Sequence, residues 1–384
     1  MAALLGLEVS GVDAILTVVD RQGHLLCALR ERLSAPAAQW WTTHPEERFR
    51  AITSLLDTAL REGLLAGGVA AIGVCATPGL VLLGPEFEVI APRDLPWSEA
   101  LDGCDADDLG RVLAQLAGHA PSAVAKVGAV LSTLDFIRFR LTGALGTHAS
   151  FAWRTGLTHL PPRATTWNTE EILGLGFRTE AFVPIFDATA RVGVIHPDVA
   201  ARCGIPMGVW VHAGAEPVAA NLALNADSGL GGPPIVLLNE GRWEAWESCP
   251  TPVERNPRVI TADGHEWWQR LSVADLDPSE GRVPAQWGDY LLDLAHVAAP
   301  SANRSQSGRP LGEWPSTLPG SPRVAAGAGQ ASIAPAVQAG LGIGWWRDSR
   351  VLRRKYLRPL PYEEWRARVQ PVIGHAAVQA EPDD

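Results

Sequence analysis

Among the residues able to do proton chemistry, His212 and Glu216 stand four residues apart in the stretch His212-Ala213-Gly214-Ala215-Glu216-Pro217. An imidazole and a carboxylate are the groups that most often take or give a proton near neutral pH. Pro217 suits the first turn of a helix, where its missing N–H leaves nothing unpaired. That placement gives Glu216 a structural alternative, as a carboxylate stabilised by a helix N-terminus. His212 has one too, as a strand-end histidine bonded to backbone. Other chemistry-bearing patterns are sparse. The ten histidines show no HxH or HExxH spacing, and none of Cys27, Cys75, Cys104, Cys203 and Cys249 is spaced CxxC, so the sequence predicts neither a metal site nor a disulfide framework. It contains no GxSxG and no GxxxxGK[ST]. The turn Gly327-Ala328-Gly329-Gln330-Ala331-Ser332 follows a short strand-like segment and precedes an apolar helix-like run. Such a turn lets backbone approach a ligand, or lets a helix pack closely on a sheet.

The composition narrows the functional classes. With 32 basic and 42 acidic residues in 384, the formal net charge is −10, the wrong sign for a nucleic-acid or anionic-membrane binder. The basic stretch Arg350, Arg353, Arg354, Lys355 and Arg358 reads as a solvated helix face. No apolar run approaches the roughly 18 residues of a membrane span, and scattered cysteines suit a reducing compartment, so the expectation is a cytoplasmic protein.

The elements that must position these residues follow from periodicity and turn signals. Residues Leu4 to Leu29 read as a three-strand meander with turns at Ser10-Gly11 and Gln22-Gly23. A helix with Thr43 as N-cap and Glu46 three residues on carries the stripe Phe49, Ile52, Leu55, Leu56, Ala59 and Leu60. Val69 to Cys75 reads as a buried strand, Lys126 to Leu141 as a helix, Thr169 as a helix start, and Val209 to His212 as a strand leading into a small-residue helix from Glu216 to Asn225. The Gly/Pro run from Asp227 to Pro234 marks a boundary, giving domains over 1–228 and 229–384, with a second strand set from Ile235. The fold class is α/β.

In order and spacing these pieces resemble the FGGY carbohydrate kinases, especially the xylulokinase and ribulokinase group. The resemblance rests on Ser10-Gly11-Val12, on Trp40 and Trp41 before the first helix, on Leu134-Asp135-Phe136-Ile137-Arg138-Phe139-Arg140-Leu141-Thr142-Gly143 and on Ser150-Phe151-Ala152. It rests also on Gly193, on His212 to Glu216 and on Gly327 to Ser332. It implies two actin-like ATPase (ribonuclease-H-like) domains with an interdomain cleft, the second domain here shortened. It places the catalytic base at Glu216, with His212 beside it. Thr77, Trp97 and Glu99 fall at sugar-contact motifs, and Ser10, Gly11, Gly241, Gly327, Gly329 and Gln330 at nucleotide-binding turns. Trp243, with Trp246, follows the second hairpin and is a candidate for an aromatic ligand wall.

The sequence also departs from that pattern. The Asp-x-Gly-Thr-Ser hairpin of the family is Gly6-Leu7-Glu8-Val9-Ser10, so the metal-supporting Asp is Gly6 and Glu8 brings negative charge to a phosphate position. The second phosphate turn aligns with Asn239-Glu240-Gly241-Arg242, without hydroxyls. Gln-Met-His-Gly becomes Ala76-Thr77-Pro78-Gly79. Glu216 stands where the family has Asp, and displacing a reacting group by about 1 Å can cost on the order of a hundredfold in rate. The leading expectation is therefore a divergent kinase-like protein that has lost ordinary ATP-dependent sugar phosphorylation and binds or converts a small molecule in its cleft. The alternatives are an active carbohydrate kinase using ATP and Mg with Glu216 as base, and a pseudokinase subunit stabilising a partner protein. A homodimer is compatible with each.

Overall fold

The computed structural model describes residues 2–10, 13–33, 44–77, 79–90, 109–159, 166–216, 235–239, 242–247, 258–260, 266–274, 323–324 and 334–347. The chain opens with β1 (Ala3–Val9), β2 (Asp13–Val19), β3 (Leu25–Arg32), α1 (Pro45–Arg61), β4 (Val69–Ala76) and β5 (Leu80–Leu83). Next come α2 (Leu109–His119), α3 (Pro121–Val124), β6 (Ala129–Ser132), α4 (Thr133–Thr142), β7 (Thr147–His148), α5 (Ala149–Arg154) and α6 (Thr169–Gly174). They are followed by β8 (Ile185–Phe186), β9 (Arg191–Val194), α7 (Pro197–Cys203) and β10 (Trp210–His212). The remaining elements are β11 (Ile235–Asn239), β12 (Arg242–Glu247), β13 (Arg258–Ile260), β14 (Glu266–Ala274), β15 (Arg323–Val324) and α8 (Ala334–Gly342).

Two compact units result. The first comprises Met1–Leu224, Val259–His265 and Gln330–Val351, and the second Asn225–Arg258, Glu266–Gly329 and Leu352–Asp384. The break after Leu224 falls close to the Gly/Pro run, but α8 returns to the first unit instead of staying with the rest of 229–384. The first unit is built on a six-stranded sheet in the order β3-β2-β1-β4-β10-β9. Its β1, β4 and β10 are mutually parallel, while β2, β3 and β9 run antiparallel to their neighbours. In the second unit the order is β13-β14-β12-β11-β15, with Asn239 opposite Arg242 across the β11–β12 hairpin.

Strand β1 is apolar along almost its whole length because both faces of the sheet are covered. With side chains alternating between faces, Leu5, Leu7 and Val9 join Ile72 and Val74 in a core closed by Phe49, Ile52, Leu55 and Leu56 of α1 and by Phe136 and Ile137 of α4. The opposite face presents Gly6 and Gly73, which lie side by side in the β1–β4 register. Helix α8 rests on them. A Cβ at Gly73 would land inside contact distance of the Pro335 carbonyl, and one at Gly6 would stand 2.9 Å from the Ala336 nitrogen. The helix is made for this approach, since Ala334, Ala336, Ala339, Gly340 and Gly342 keep its girth small. Trp346 packs over Gly340 and donates its indole N–H to the Arg21 carbonyl.

Two local readings are corrected. Helix α1 is capped by His44, whose Nδ1 accepts the Glu46 N–H at 3.3 Å, and not by Thr43. Pro45 at the first helical position explains the shift by one residue. The expected helix from Lys126 to Leu141 divides into β6 and α4, because Ser132 and Asp135 form a capping box that starts a new helix at Thr133. Helix α6 begins at Thr169, as the sequence predicts, and runs for six residues. Among the described residues no helix is long and apolar enough to cross a membrane.

The glycine seat gives a direct test. Gly73→Ala should destabilise the protein by about 3 kcal/mol, because backbone must move to admit one methyl group. Gly118→Ala, at an exposed helical position with open space around it, should be neutral or stabilising by up to about 1 kcal/mol. Urea denaturation of both variants measures the contrast.

Candidate functional site

The carboxyl ends of the parallel strands β1, β4 and β10 come together at one edge of the sheet, the edge at which α/β proteins place their ligands. Four carriers of chemistry arrive there: Glu8 from β1, Cys75 from β4, Thr77 just after β4, and Glu216 from the segment after β10. Glu8 pairs in register with Cys75, which in turn bridges to Ala215. Burial pushes the Cys75 thiol well up, and the Glu8 charge adds to this. Cys75 is thus a neutral thiol and no nucleophile.

At the first hairpin the Ser10 hydroxyl bonds the backbone of Asp13, with the Asp13 N–H donating to Ser10 Oγ at 2.9 Å. It closes the turn. Position 6 lies under α8, where no side chain fits without moving the helix. The hairpin thus supplies no carboxylate at position 6, a hydroxyl already engaged in its own turn, and the Glu8 carboxylate. This donor set does not fit a magnesium-nucleotide complex of the kind the resemblance implies. Among the described residues no three His, Cys, Asp or Glu side chains converge as metal ligands.

Glu216 is almost wholly buried and forms an ion pair with Arg154 at the end of α5, Nε to Oε2 3.1 Å. Behind this pair lies a network that local sequence reading did not flag. Arg138 of α4, without exposed surface, donates to Asp135 Oδ1 at 2.9 Å and to the carbonyls of Ala213 and Gly146. Asp135 Oδ2 accepts from the Ser132 N–H at 2.9 Å and from the Thr147 hydroxyl at 2.6 Å. The i, i+3 spacing of an acid and a base inside the apolar run Leu134-Asp135-Phe136-Ile137-Arg138-Phe139 was the signal available for it. His148 stands between the two arginines as N-cap of α5, its Nδ1 accepting the Phe151 N–H at 3.3 Å. Burial above all, with Arg138 and Arg154 adding to it and Asp135 opposing, lowers its pKa to about 4.

The other expected site residues are placed as follows. His212 is fully buried and donates from Nδ1 to the Thr189 carbonyl at 2.8 Å, which leaves its lone pair on Nε2. It lies beneath Gly342 of α8, and burial holds its pKa below the usual histidine range. Among the described residues it makes no hydrogen bond to Glu216, so the structure gives it the strand-end role. Thr77 is buried and extends the parallel ladder through its N–H to the Val9 carbonyl at 2.9 Å. Gly11, Trp97, Glu99, Gly241, Gly327, Gly329 and Gln330 lie outside the described residues, and of Trp243 only the backbone, in β12, is described.

His148 makes the site's stability pH-dependent. Its folded pKa lies below the ordinary value of 6.5, so the unfolded chain binds the extra proton first. The contribution is whole above pH 6.5 and is lost as pH falls toward 4, roughly 3 kcal/mol over that window. His148→Asn keeps a cap acceptor but cannot titrate. Its unfolding free energy should fall less steeply than the parent's between those limits, as followed by urea denaturation at stepped pH.

Comparison with known proteins agrees with this frame. Residues 110–223 match the N-terminal domain of the FGGY family of carbohydrate kinases. A xylulose kinase of Klebsiella pneumoniae is 24% identical over 249 residues, 59% of this chain and 50% of that protein. A xylulose kinase of Bacillus subtilis is 30% identical over 96 residues, 25% of this chain and 19% of that protein. The chain thus matches half or less of the length of these curated relatives. Among solved structures, the ligand-bound xylulose kinase from Lactobacillus acidophilus superposes with a TM-score of 0.68 at 13% identity, covering 99% of this chain and 98% of that one. The xylulose kinase from Rhodospirillum rubrum gives 0.58 at 17% identity, covering 79% and 65%. The common architecture is the actin-like ATPase fold. Over residues 110–223 the chain is similar to the N-terminal domain of the FGGY family of carbohydrate kinases.

Proposed function

We propose that this protein is a divergent FGGY member that does not run ordinary ATP-dependent sugar phosphorylation and instead uses the Glu216 edge of its first unit to bind or convert a small polar metabolite in the cytoplasm. One observation carries the reading. The position matching the metal-supporting Asp is Gly6, and the space its side chain would need is filled by α8, with the Ala336 nitrogen 2.9 Å from where a Cβ would stand. Phosphoryl transfer depends on positioning and on neutralising charge at the transferred group. A hairpin with no carboxylate at position 6, and with Glu8 close by, is poorly equipped for either task. The Glu216 carboxylate is, besides, already engaged in an ion pair with Arg154. What remains is a buried anion held at the carboxyl edge of a parallel sheet, suited to accepting hydrogen bonds from a hydroxylated ligand. The reading carries with it no nucleic-acid and no membrane partner.

The second reading, an active carbohydrate kinase with ATP and Mg as cofactors and Glu216 as base, is favoured by the place of Glu216, which matches the family's catalytic position on the segment after β10. Titrating magnesium-ATP into the protein, by calorimetry and by thermal shift, separates the two. A ligand at about a hundredfold excess over its Kd adds about 2.7 kcal/mol to the stability of the state that binds it. The expected result is no saturable stabilisation by ATP, together with a thermal shift from some member of a sugar, polyol and sugar-acid panel that Glu216→Gln removes. ADP release that depends on a sugar or polyol, and that Glu216→Gln abolishes, would replace the proposal with the kinase reading.

A further inference from the structure

We infer that Arg154 and Arg138 are positioning residues that fix the Glu216 carboxylate from two sides, Arg154 through its ion pair and Arg138 through the backbone on which both partners are mounted. This rests on the reading above, in which Glu216 meets the ligand. Arg138 donates to the Ala213 carbonyl, three residues before Glu216, and to the Gly146 carbonyl, just ahead of the β7–α5 segment that ends at Arg154. A single guanidinium therefore sets the distance between the two chain segments that bear the ion pair. Asp135 holds that guanidinium in turn, and Thr147, the first residue of β7, donates its hydroxyl to Asp135. The fork of an arginine is needed, because three acceptors on three separate segments must be met from one planar group.

The geometry also accounts for a glutamate where the family has an aspartate. The extra methylene carries the carboxylate outward, and its end is where Arg154 receives it at 3.1 Å. A carboxylate held in this way keeps one orientation before any ligand arrives, so no ordering of that side chain remains to be made on binding.

The test reads Glu216 directly and without ligand. In protein carrying carbon-13 at the glutamate carboxyl groups, the Glu216 resonance is assigned by its loss in Glu216→Gln. The parent should show one sharp resonance. Arg154→Met should displace and broaden it, and Arg154→Lys, which restores the charge, should bring it back toward the parent position. Arg154→Gln serves where the methionine variant does not fold, and should displace the resonance in the same direction. For the second arm, Arg138→Lys should raise amide hydrogen exchange at Ala213 and Gly214 by about tenfold or more relative to β4, as local opening becomes easier. A Glu216 resonance unmoved by Arg154→Met or Arg154→Gln, or exchange at Ala213 and Gly214 unchanged in a folded Arg138→Lys protein, would overturn the inference. Neither measurement involves a metabolite, so failure here is separate from failure of the ligand screen.

Discussion

A guanidinium sealed from solvent governs the first unit of this protein. Arg138 cannot shed its charge at any ordinary pH, and its side chain has no exposed surface. Every segment that touches it must therefore present an acceptor in the right place. Asp135 supplies the counter-charge, while Gly146 and Ala213 supply carbonyls. Breaking such a pair by removing one partner typically costs about 3–5 kcal/mol, most of it from the charge left behind. The network is more specific than it is stabilising. It joins α4, the start of β7 and the exit of β10 in one arrangement, where apolar packing would tolerate several.

The other constraint is steric. Gly6 and Gly73 stand side by side on the face opposite the main core, and α8 lies close enough that neither position admits a side chain. One glycine thus has two consequences. It removes a carboxylate from the first hairpin, and it lets helix backbone occupy the space that carboxylate would have needed. The hairpin's remaining polar group, Ser10, closes its own turn. Gly6 and Ser10, two positions of the hairpin that the family resemblance assigns to phosphate chemistry, thus make a packing contact and a turn closure.

The strands were legible in the sequence because their signals are local. Alternation and turn residues give β1 to β3, and an uninterrupted apolar run between turn signals gives β4. The helix stripe from Phe49 to Ala59 gives α1. What escaped was decided by neighbours in space or by subtle caps. His44 caps α1 in place of Thr43, and Ser132 with Asp135 cuts a helix-like stretch in two. For the site, Glu216 was singled out by the resemblance, at the place of the family's catalytic Asp, but its partner Arg154 lies 62 residues earlier and no periodicity connects them. His212, chosen for its spacing to Glu216, turns to Thr189 and α8 instead. Residue type and spacing identify candidates, while the pairing of charges is a property of the folded chain.

The return of α8 to the first sheet also bears on how the chain folds. Among the described residues, α8 is what covers the face of β1 and β4 that carries Leu4, Gly6 and Gly73, while the opposite face packs against α1 and α4. During synthesis that face therefore waits for α8 while most of the second unit is made, and it closes through contacts of very large sequence separation. A fragment ending at the Gly/Pro run near residue 228 would carry the residues of the site without the helix that completes their sheet.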